Sequence, residues 1–157
     1  MPYELRAVIA AVDLAKVVAA EVPLASVVEL AQGLALIPMT DELFRVVNDP
    51  ERPSLPGFGH FPGGFALRLG AWSQAGPIAY VEAEYCDGMG SQQAALWLDG
   101  KIDFGPIGTG GVVPVPRRSG PISQVLQRLG AQKADGTDEF DSVGLLRHRQ
   151  LTEWLPL

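Results

Sequence analysis

The sequence predicts an α+β fold, mixed α/β in content, with a central and mainly antiparallel sheet and helices packed against it. Three observations lead there. The apolar runs PIAYVEAEY and QQAALWLDG flank a glycine-bearing turn and read as an antiparallel pair, and Asp99-Gly100 then turns the chain into KIDFG, completing a three-strand meander. Phe65, Leu69 and Trp72 recur at helical spacing, as do Ile122, Val125, Leu126 and Leu129. No internal repeat or low-complexity tract divides the 157 residues, which read as a single globular domain over 1–157.

The remaining elements follow in order. Residues 4–11, ELRAVIAA, read as a first strand, with a helix as the competing reading because of the alanines. DLAKVVAA, opened by Asp13 and stopped by Pro23, predicts a short helix. SVVEL and LALIPM read as short buried strands that turn at Gln32-Gly33, or alternatively as one helix, with Pro38 at the end. Thr40 has the hydroxyl of an N-cap. Asp41 and Glu42 follow in the first turn, where the helix dipole favours negative charge, and Leu43, Phe44 and Val47 share a face.

Between Asn48 and Gly64 the density of proline and glycine forbids one regular element and predicts a long surface excursion, with Phe58 and Phe61 pinning it to the core. A helix then runs from Pro62 or the following glycines to Gly76-Pro77. Residues 105–120 read as a second loop, and GPISQVLQRLG as a helix with Pro121 at its start and Gly130 at its end. After a polar linker, two helical segments are expected from Phe140, Val143 and Leu146 and from Leu151, Trp154 and Leu155.

Charge bounds the function. Eighteen acids against twelve bases give a net charge of −6, which repels phosphate backbones and anionic membranes. Arg117-Arg118 and Arg147-His148-Arg149 are too short to track a nucleic acid, so neither nucleic acid nor membrane is expected as a partner. Acids and bases interrupt the N-terminal apolar residues, and Cys86 is the single cysteine, so a cytoplasmic protein without disulfide or zinc is expected. His60 and His148 lack metal-ligand spacing, GPIGTGG lacks the GK[ST] of a phosphate loop, and no serine lies in GxSxG. Neither a metal nor another cofactor is expected.

The segment VEAEYCDGMGSQQAALW, residues 81–97, carries the candidate site. On a strand Ile78, Tyr80, Glu82 and Glu84 share one face, and Ala79, Val81, Ala83 and Tyr85 share the other, which is the natural core face. Two adjacent carboxylates must face solvent, meet bases, or share a proton. A proton-sharing pair helped by Asp87 and Gln92 would suit a small enzyme. A solvated pair suits recognition of a basic protein surface. Cys86 lies among acids, which disfavour a thiolate, and Gly88 and Gly90 are read as turn glycines with positive φ.

LAQGLALIPMTDELF, AYVEAEYCDGMGSQQAALW, GPISQVLQRLG and DEFDSVGLLRHR together resemble a group of small acidic actinobacterial proteins, some of which look like toxin-neutralising immunity proteins. Its members tend to carry an aromatic and a glycine where this chain has Cys86-Asp87. The resemblance implies a non-enzymatic protein-binding domain. The residues expected to meet a basic partner are Tyr80, Glu82, Glu84, Asp87 and Gln92. The rival readings are an enzyme using Glu82 and Glu84, and a small-molecule-binding domain with a pocket between the sheet and loop 48–64.

Overall fold

The computed structural model describes residues 2–115 and 120–155, so Arg117-Arg118 and Ser119 lie outside the described residues. Among these residues seven strands form one antiparallel sheet. They are β1 (Tyr3–Ala11), β2 (Val28–Glu29), β3 (Leu34–Pro38), β4 (Ile78–Cys86), β5 (Met89–Leu98), β6 (Lys101–Gly108) and β7 (Val113–Pro114). Their spatial order is β2-β3-β1-β4-β5-β6, with β7 also paired to β5. This is the predicted mixed α+β class.

Helices cover both faces. On one, α1 (Val12–Glu21), α2 (Asp41–Val47) and α3 (Phe65–Trp72) pack Leu14, Val18, Leu43, Val47, Phe65 and Leu69 onto Val8, Ala10, Ile37, Ile78, Tyr80 and Trp97. On the other, α4 (Pro121–Arg128), α5 (Glu139–Ser142) and a 3₁₀ turn, Leu151–Trp154, pack Ile122, Val125, Leu126, Phe140 and Trp154 onto Leu5, Ala7, Ile9, Leu36, Val81 and Leu96. β4 therefore has two core faces where its alternation suggested one, a consequence of helices arriving from both sides.

Local chemistry sets the boundaries. Thr40 Oγ1 accepts from Leu43 N at 3.1 Å, as an N-cap should. Asp87-Gly88 and Asp99-Gly100 have φ of +54° and +78°, and +54° and +88°, so both hairpins turn on two left-handed residues. Gly88 is thus a true turn residue. Gly90 is not: it sits within β5, and a Cβ there would lie 1.9 Å from Glu84 O and 2.6 Å from the Tyr85 ring.

Two further expectations are corrected. Residues 105–120 are not one loop, because β6 continues through Gly108 and β7 follows. Register shifts against β5 absorb Gly105, whose φ of +84° favours glycine and where a Cβ would lie 2.7 Å from Ala94 O. The C-terminal segments are single turns. Gly144, at φ +99°, stops α5, and Leu145 N returns to Phe140 O at 3.1 Å, which leaves Leu146 exposed.

Candidate functional site

The register of β1, β4 and β5 builds the site. Below the apolar rows that α1, α2 and α3 cover, the same face carries two polar rows: Arg6, Glu82 and Gln93 side by side, then Glu4, Glu84 and Ser91. Loop residues Gly57, Gly59 and His60 wall this bay, enclosing about 240 Å³. The bay lies where the small-molecule reading placed a pocket, between the sheet and the Pro/Gly-rich loop.

Glu82 forms the junction of sheet and loop. It is only 5% exposed. Its Oε1 accepts from Gly59 N at 2.8 Å, and its Oε2 accepts from His60 N at 3.0 Å and from the Tyr80 hydroxyl at 2.8 Å. Burying a carboxylate is tolerable when donors replace its water, and here a loop without regular structure supplies two backbone N–H groups. Phe58 and Phe61 hold the same loop from the apolar side, with ring centroids 5.1 and 4.9 Å from Tyr80. Burial, and next the charge and hydrogen bond of Glu82, push the Tyr80 phenol well above its ordinary value, with Arg6 pulling weakly the other way.

Arg6 stands opposite Glu82 with its guanidinium mostly covered. Its Nη2 lies 3.4 Å from Glu4 Oε1 and 3.7 Å from Asp41 Oδ1, while its Nε is buried without a hydrogen-bond partner. These separations are long for charge-assisted bonds, so Arg6 tempers the bay without neutralising it. Three carboxylates, Glu4, Glu82 and Glu84, face this single cation. The outermost carboxylate is free, since Glu84 is exposed and has no hydrogen bond or ion pair among the described residues.

The expected site residues therefore divide. Glu84 and Asp87 are exposed, whereas Tyr80, Glu82 and Gln92 are buried by the chain's own packing. As a contact set for a partner, those three are corrected: Tyr80 lies under the loop, Glu82 holds it, and Gln92 points to the opposite face, where its Oε1 accepts from Ile122 N at 3.0 Å. Glu82 and Glu84 do not act as a pair, because one is committed to the loop and the other to solvent. Cys86 is exposed at the hairpin tip. Glu4, Arg6, Ser91 and Gln93 were missed because strand register, which the sequence does not carry, brings them together.

No group of three or more His, Cys, Asp or Glu able to hold a metal ion occurs among the described residues. No helix among them is long and apolar enough to cross a membrane. No protein-family model, curated protein or solved structure matches this chain.

Proposed function

We propose that the chain is a non-enzymatic protein-binding domain of the immunity type, acting in the cytoplasm, whose carboxylate bay receives a basic side chain of a protein partner. The supporting observation is Glu84, an exposed carboxylate without a counterion among the described residues, set beside Glu4 at the open end of the bay. A lysine or arginine entering there meets charge of opposite sign on a rigid sheet. The net charge of −6 favours its approach from a distance. Asp87 in the adjoining turn extends the acidic surface outward.

The acid–base reading is weaker, because both oxygens of Glu82 already accept protein donors and no carboxylate is hydrogen-bonded to it among the described residues. The test is affinity purification from cells of the source organism with wild-type chain and with Glu84→Lys/Asp87→Lys as bait. A basic protein recovered in stoichiometric amount by the wild type and lost from the variant supports the proposal. Failure to recover any specific protein, or equal recovery by both baits, defeats it.

A further inference from the structure

The opposite face of the same hairpin encloses a second and larger cavity, of about 450 Å³, within the size range of small-molecule sites. Its walls include the rings of Tyr3, Tyr85 and Phe140 and the side chain of Leu146, and Asp138, Asp141 and Arg149 also line it. The two polar side chains that β4 and β5 contribute are more than nine-tenths buried, Tyr85 at 7% and Gln92 at 5% exposure.

The hydrogen bonds around this cavity do not close. Tyr3 donates its hydroxyl to Leu145 O at 2.8 Å, and Gln92 Oε1 is occupied by Ile122 N. The Tyr85 hydroxyl has the Gln92 amide beside it but no acceptor for its proton among the described residues. Burial pushes this phenol up, and the neighbouring Gln92 amide offsets part of that, so the group holds its proton at neutral pH and is a donor without an acceptor. A buried polar group left unsatisfied is costly, and one that borders a cavity marks a place where an acceptor brought from outside would be favoured.

We infer that this cavity binds a small, uncharged aromatic molecule bearing a hydrogen-bond acceptor, its ring lying among Tyr3, Tyr85 and Phe140 and its acceptor taking the Tyr85 proton. The lining favours an uncharged ligand: among the described lining residues two carboxylates outweigh Arg149 and oppose an anion, and an ammonium group has no acceptor to offer the Tyr85 hydroxyl. The site is independent of the carboxylate bay, because Tyr85 and Gln92 face away from Glu82 and Glu84.

The test is a titration followed by protein amide and aromatic NMR signals, with benzamide as probe and benzoate and benzylammonium as charged counterparts, each to about 10 mM, the range in which a nine-atom fragment is expected to bind. Benzamide is expected to move the signals of Tyr3, Tyr85, Gln92 and Phe140 and to bind more tightly than either ion. Tyr85→Phe keeps the ring and removes only a hydroxyl whose proton has no acceptor among the described residues. It is therefore expected to fold with undiminished stability yet bind benzamide about fivefold more weakly, the loss of one neutral hydrogen bond. Leu146→Trp, at an exposed lining position, is expected to block binding without unfolding the chain. Absence of shifts with benzamide, shifts confined to other residues, tighter binding of either ion, or equal benzamide affinity in Tyr85→Phe and wild type would each overturn the inference.

Discussion

Tyr80 and Glu82, two residues apart on one face of β4, are joined by a 2.8 Å hydrogen bond from the phenol to Oε2, and that bond marks where the apolar half of the sheet face gives way to its polar half. Above it lies the aromatic cluster, and below it the bay. Glu82 is thus the buried post to which the loop is tied, and its neighbour Glu84 is left exposed to solvent.

The tie should be measurable. Glu82→Gln places an amide N–H₂ against one of the donors that the carboxylate accepts, which leaves a buried donor unmatched, so a loss of about 2 kcal/mol in urea denaturation is expected. Tyr80→Phe removes one bond to a charged acceptor and should cost about 1.5 kcal/mol. The amides of Gly59 and His60 should exchange slowly in the wild type despite lying in a loop, and quickly in Glu82→Gln. Rapid exchange of both in the wild type would contradict the clasp.

The tyrosines give a pH prediction. Tyr3, Tyr80 and Tyr85 are the three in the chain, and burial, the largest cause in each case, raises all of them above their ordinary value near 10. Raised acids contribute stability that is complete below the unfolded value and is lost as pH rises through the folded one. Stability should therefore be flat in this respect up to about pH 10 and fall above it. Absorbance at 295 nm should show less than half of the tyrosine ionised at pH 10 in the folded chain. Half-ionisation of all three below pH 10 without unfolding would refute the assignment.

Gly88 and Gly90 separate two reasons for glycine. A Cβ at Gly88 has open space around it, and only the φ of +78° resists it, so Gly88→Ala should cost about 1 kcal/mol. A Cβ at Gly90 would sit 1.9 Å from Glu84 O and force β4 and β5 apart, so Gly90→Ala should cost about 3 kcal/mol or more. Denaturation midpoints of the two variants decide between these costs, and an equal loss would contradict the reading of Gly90.

Much of this architecture was legible because its signals are local. The Thr40 cap, the Asp99-Gly100 turn and the spacing of Phe65, Leu69 and Trp72 each act within a few residues. The alternation that put Glu82 and Glu84 on one face was also correct. Burial of that face was not legible, because it depends on where loop 48–64 lands. Two glutamates of identical chemistry were read as a pair, yet one is buried by Gly59, His60 and Tyr80 and the other is not. Likewise, nothing in the sequence near Arg6 announces Glu82, and the register of two distant strands places them side by side.

The central proposal is that the free Glu84 carboxylate at the mouth of the bay recognises a basic side chain. Its most direct test is the dissociation constant of the captured complex, measured for the wild type and for Glu84→Lys at low and high salt. The account predicts affinity that falls with salt in the wild type and a loss of about tenfold or more in the variant, as reversing a charge within a complementary interface should give. Unchanged affinity in Glu84→Lys, with the same salt dependence, would contradict it.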